Sequence, residues 1–96
     1  MLYLHAGKNT NLETDTVIGI FDLDAATVSP VTRKFLSAKE KKGDVILIAE
    51  ELPKSFLLTA ENPGDYRMKP VRKKKQKETV YLSQLSPATL VQRLKD

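Results

Sequence analysis

The chain contains no cysteine, which excludes disulfides, thiolate zinc sites and thiol nucleophiles. It has one histidine, His5, too few for a multi-histidine metal centre. Its four glycines are scattered, and none falls into a phosphate-cradling GxGxxG or GxxxxGKS pattern. Long apolar runs are also missing. The longest, at 17–21 and 45–49, have five residues each, whereas a membrane helix needs about 20. The opening Met1-Leu2-Tyr3-Leu4-His5 lacks the charged and apolar regions of a signal peptide. These absences predict a soluble, cytoplasmic protein without membrane attachment.

What is present is ordinary in bulk and uneven in arrangement. The 96 residues suffice for one domain that buries roughly 60–70% of its unfolded surface. Hydrophobic residues make up 41% and charged residues 29%, the composition of a folded soluble domain rather than a disordered one. The net charge is +4, from 16 basic and 12 acidic residues. Residues 67–77, RMKPVRKKKQK, hold seven of those cations and no acid. The remainder has nine basic against 12 acidic residues, a net of −3. The basic character belongs to one segment, as expected of an appendage on a domain with its own purpose.

Two Ser-Pro pairs mark helix starts. Ser29-Pro30 and Ser86-Pro87 each put a hydroxyl at the N-cap and proline at the first helical position, where its missing N–H is harmless. The first predicts a helix over 30–42, with Val31, Phe35 and Ala38 on its inner face, Leu36 beside them, and Gly43 at its end. The second predicts a helix over 87–95 with Leu90, Val91 and Leu94 on one stripe. Strands are expected at 2–5, 16–23, 44–49, 55–59 and 78–83, the last two as a hairpin pair. Their connection is far longer than a hairpin loop and contains Asn-Pro-Gly-Asp. With only Tyr66, Met68 and Val71 as apolar content, it is expected to be a flexible basic insertion at about 61–77 in a single domain over 1–96. The order β-β-α-β-β-β-α predicts an α+β domain with a small, mainly antiparallel sheet and two helices. Ser-Pro-x-Thr occurs at both helix starts, which fits a duplicated unit or, more simply, two uses of one helix opening.

Residues suited to catalysis are few. His5 has no thiol partner and no serine in a nucleophile elbow; the simpler account is a strand histidine with a satisfied ring. Asp22 and Asp24 would share one face of an extended chain and suit Mg²⁺ or an acid–base pair. A solvated strand end explains them equally well. No enzyme activity, cofactor, metal or small-molecule substrate is expected. Binding is better supported. Arg67, Lys69, Arg72, Lys73, Lys74, Lys75 and Lys77 suit phosphates, with salt-sensitive and sequence-independent affinity. The run lacks interleaved aromatics apart from Tyr66 at its edge, so base stacking is not indicated. The blander alternative is a solvated loop that keeps the protein soluble. Arg33, Lys34, Lys39, Lys41 and Lys42 form a second basic cluster, diluted by Glu40 and Asp44, for which a solvated helix face is the simpler account.

Five short segments stand in a familiar order: Leu2-Tyr3-Leu4-His5-Ala6-Gly7, Val17-Ile18-Gly19-Ile20-Phe21-Asp22, Leu52-Pro53-Lys54-Ser55-Phe56, Thr79-Val80-Tyr81-Leu82-Ser83 and Ser86-Pro87-Ala88-Thr89-Leu90. With them the chain resembles the RemA/RemB family of small bacterial extracellular-matrix regulatory proteins, and IGIFD and LPKS are closer to the RemB branch. The resemblance runs from about residue 2 to residue 94, interrupted around 61–77. It implies a LytTR-like fold and a non-enzymatic DNA-binding regulator of biofilm-matrix genes that assembles into rings. Where RemA-like proteins carry an arginine at the start of the second strand, this chain has Asp15-Thr16. In place of their arginine pair before the next hairpin it has Glu51-Leu52-Pro53-Lys54, and only Lys54 keeps a positive charge. The expected partners are duplex DNA and further copies of the chain. The expected DNA-binding residues are Lys54 and the seven cations of the basic run. The competing reading is an oligomeric protein-interaction scaffold that does not bind DNA.

Overall fold

The computed structural model describes residues 3–60 and 77–95. Among these, the order is β1 (Tyr3–Gly7), β2 (Thr10–Glu13), a 3-10 turn (Thr14–Thr16), β3 (Val17–Asp22), α1 (Leu23–Ala26), α2 (Pro30–Lys41), β4 (Val45–Ile48), β5 (Ser55–Ala60), β6 (Glu78–Ser83) and α3 (Pro87–Lys95). The α+β class stands, as do α2, α3 and the antiparallel β5–β6 pair. Three features correct the expected order. β2 is a strand, α1 adds a short third helix, and the strands form two sheets rather than one. The expected insertion lies, apart from Lys77, outside the described residues.

β1 and β2 make an antiparallel hairpin in which Gly7 and Thr10 are partners, leaving Lys8-Asn9 as a two-residue turn. Both turn residues have positive φ, 39° and 58°, the geometry that matches the twist of a hairpin. The usual Asn-Gly or Asp-Gly signal for such a turn is absent, so the strand was hidden in the sequence. Gly7 itself has φ 126°, and a Cβ there would meet the Ile48 carbonyl oxygen at 3.2 Å. Glycine lets the hairpin close onto the end of β4.

The second sheet has the order β3-β5-β6-β4, antiparallel except for β4 beside β6. Register sorts its side chains into rows. Ile20, Leu57, Tyr81 and Ile46 share one face. Leu57 there joins Leu4, Ala6 and Leu12 of the hairpin, Ile48 and Leu90 of α3 in one buried cluster. Phe21, Phe56, Leu82 and Leu47 form a row on the opposite face. Val80 and Phe56 are buried on that side. α2 lies against β4 and β6 and α1 against β3 and β5, while α3 packs through Leu90 into the Leu57 cluster.

α2 ends as expected. Gly43, at φ 76°, donates its N–H to Glu40, and Asp44 donates to Lys39, the paired bonds of a Schellman cap. Its orientation differs from expectation. Thr32, Phe35, Leu36 and Lys39 face inward, while Val31 is 76% exposed and Ala38 is also exposed. The large neighbours Phe35 and Leu36 can both meet the sheet only if the inner face is centred between them, and that turns Val31 and Ala38 away. On α3, Leu90 is buried and Leu94 half-buried, whereas Val91 is exposed.

Candidate nucleic-acid interface

Of the eight cations expected to bind DNA, Lys54 and Lys77 are described; Arg67, Lys69, Arg72, Lys73, Lys74 and Lys75 lie outside the described residues. Lys54 follows an extended loop that leads into β5. Its backbone is fixed twice, by its N–H donating to Ser83 at 2.8 Å and its carbonyl accepting from Leu23 at 2.9 Å. The side chain is exposed. In the same loop Gln84 Oε1 accepts from the Glu50 N–H at 2.9 Å, and the Glu50 and Glu51 side chains are exposed too. The loop therefore carries two carboxylates against one cation.

Lys77 stands just before β6, 66% exposed in its side chain, with Nζ 3.9 Å from Asp44 Oδ1. Lys54 adjoins the Ser55 end of β5, and Lys77 adjoins Glu78, the partner of Ala60 at the other end. From Ser55 to Ala60 the strand makes five residue-to-residue steps, about 17 Å. The fold thus sets the two described cations at opposite ends of the sheet.

The second basic cluster of the sequence splits in the fold. Lys39 points inward, its Nζ donating to the Glu78 carbonyl at 3.0 Å, pairing with Glu78 Oε1 at 3.5 Å and lying 5.9 Å over the Phe35 ring. Arg33 Nη1 donates to the carbonyls of Thr27 at 2.8 Å and Val28 at 3.3 Å, bracing the α1–α2 turn. Lys34, Lys41 and Lys42 remain exposed. The spacing 30, 33, 34, 37, 38, 41 would have revealed an outward stripe, but only once the inward face was known.

The other candidates have structural roles. Asp22 caps α1 by accepting from the Ala25 N–H at 2.9 Å. Asp24 falls in that helix's first turn, so the extended geometry that would align the two carboxylates does not arise. His5 Nδ1 lies 3.1 Å from Asn11 Oδ1 across the hairpin. Arg93 Nη1 donates to the His5 carbonyl at 3.0 Å and ties α3 to β1. Among the described residues no group of three or more His, Asp or Glu side chains could hold a metal ion, and no helix is long and apolar enough to cross a membrane.

Fold and surface together define a small α+β domain whose described cations are gathered at separate places. No protein-family model matches the chain. The chain is 30% identical over 92 residues to extracellular matrix regulatory protein B of Bacillus subtilis (strain 168), covering 96% of this chain and 89% of that one. The chain belongs to the family of this bacterial extracellular matrix regulatory protein.

Proposed function

We propose that the protein is a cytoplasmic transcriptional regulator of extracellular-matrix genes, binding duplex DNA through basic sites repeated around a ring-like homo-oligomer. The observation that carries this reading is the localised charge: seven cations and no acid within 67–77, on a remainder of net −3. Assembly is supported by large apolar side chains left at the surface, with Leu52 86%, Val31 76% and Leu47 58% exposed. A protomer with few phosphate contacts binds weakly, and a ring that holds many copies at high effective concentration compensates.

The test is an electrophoretic shift on AT-rich promoter duplex across a salt series, run beside light scattering on the free protein. The expected result is binding lost steeply between low and moderate salt, with a mass above the monomer. A monomer mass at micromolar concentration overturns the assembly. An oligomer that binds no duplex at low salt is the interaction scaffold instead, a reading favoured by the two glutamates beside Lys54.

A further inference from the structure

The outward stripe of α2 has no assigned purpose. Pro30, Arg33, Lys34, Ser37, Ala38 and Lys41 line a shallow trough of about 530 Å³ along the helix. The inward side chains of α2, Thr32, Phe35, Leu36 and Lys39, are half-buried, and the rest of the helix is exposed. Among the described residues, no ion pair holds Lys34, Lys41 or Lys42. Lys41 and Lys42 stand at the end of α2 that is laced to β6, where Asp44 accepts from the Val80 N–H at 2.9 Å and lies beside Lys77. Cations at a helix C-terminus favour the helix dipole. That effect accounts for Lys41 and Lys42 but not for Lys34, which sits in the middle of α2.

Resting on the DNA-binding reading, we infer that the outer face of α2, with Lys34, Lys41 and Lys42 and Lys77 at its end, is a second contact for the phosphate backbone of duplex DNA. Lys34 and Lys41 are seven residues apart, about 10 Å along the axis. One DNA strand carries a phosphate about every 3.4 Å of helix rise, so the cations match a short run of one strand. Ser37 and Ala38 between them are small, which lets that strand lie close to the helix. The trough itself is lined by no large aliphatic or aromatic side chain, and Val31 is the one such side chain of α2 left largely exposed beside it, less than the apolar centre of a protein–protein contact. The contact is sequence-independent, since lysines on phosphates read charge and not bases.

The experiment compares the full-length protein with the variant Lys34→Gln/Lys41→Gln/Lys42→Gln on a 30-base-pair duplex of arbitrary sequence, over a salt series. The expected result is at least about a tenfold loss of affinity and a salt slope shallower by about two to three, at roughly 0.9 per phosphate contact. Light-scattering mass should stay unchanged, the melting temperature should fall by no more than the loss of two helix-end cations costs, and arginine at the same positions should retain binding. If the triple variant melts early, Lys34→Gln alone should lower the slope by about one. Wild-type protein that ignores duplex overturns both this inference and the DNA-binding reading. Wild-type protein that binds, with the glutamine variant equal to it in affinity and slope, overturns this inference alone. A fall in oligomer mass would assign the face to a neighbouring copy, and would overturn it too.

Discussion

Ser83 has no exposed surface, yet its hydroxyl is fully used. It donates to the Ala6 carbonyl at 2.6 Å and accepts from the Leu85 N–H at 3.1 Å, joining the hairpin, β6 and the turn toward α3. Ser83→Ala leaves a buried carbonyl and a neighbouring N–H without partners and should cost about 1–3 kcal/mol in urea unfolding. A loss below about 0.5 kcal/mol would show that water or a shifted backbone replaces the bonds. Gly19 acts through space rather than through φ. A Cβ there would lie 2.7 Å from Phe21 Cε2, displacing a ring that stacks on Phe56 with centroids 4.8 Å apart. Gly19→Ala should cost about 1 kcal/mol, the size of such an aromatic pair. In a Phe21→Leu background most of that cost should vanish, which a double-mutant cycle would measure.

At the scale of elements, one tetrapeptide pattern behaves in two ways. Before α3, Ser86 Oγ accepts from the Thr89 N–H at 3.2 Å and lies 3.0 Å from Thr89 Oγ1. Before α2, Ser29 is the N-cap but its side chain makes no cap bond. Arg33 instead braces that turn through the Thr27 and Val28 carbonyls. Ser86→Ala should therefore cost about 1 kcal/mol, and Ser29→Ala less than half as much, both by chemical denaturation. Equal losses would mean that the Ser29 hydroxyl caps α2 in solution.

For the whole molecule, connection and charge can be separated. Ala60 and Glu78 are direct partners across β5 and β6, so a short turn can join them. Replacing 61–77 with a Gly-containing turn should lower the melting temperature by less than about 10 °C. A larger drop would show that the replaced segment packs on the domain. Without residues 67–77 the formal charge is −3, a net field that repels DNA. Neutralising Arg72, Lys73, Lys74 and Lys75 to Gln should weaken duplex binding at least tenfold, about 1.4 kcal/mol, and flatten its salt slope. Lys54→Ala should cost less, because Glu50 and Glu51 share its loop. The reverse outcome would move the binding face to the Lys54 end of the sheet.

Features that depend on near neighbours in the chain are legible without the fold. The two Ser-Pro helix starts, the glycine stop of α2, the apolar strands, the α+β class and the concentrated charge of 67–77 are all local patterns. Tertiary structure decided the relations between them. Lys39 carries the same charge as Lys34, but contact with Glu78 and Phe35 turns it inward and leaves Lys34 outside. Val31 looked as fit for burial as Phe35 until the sheet set the angle of α2. Lys54 and Lys77 were grouped by charge, and β5 holds them at opposite ends of the sheet. β2 carries no sequence signal because its turn, Lys8-Asn9, is held in the left-handed region by cross-strand pairing and not by an Asn-Gly pair. Burial and proximity are properties of packed pairs of elements, and no single segment contains them.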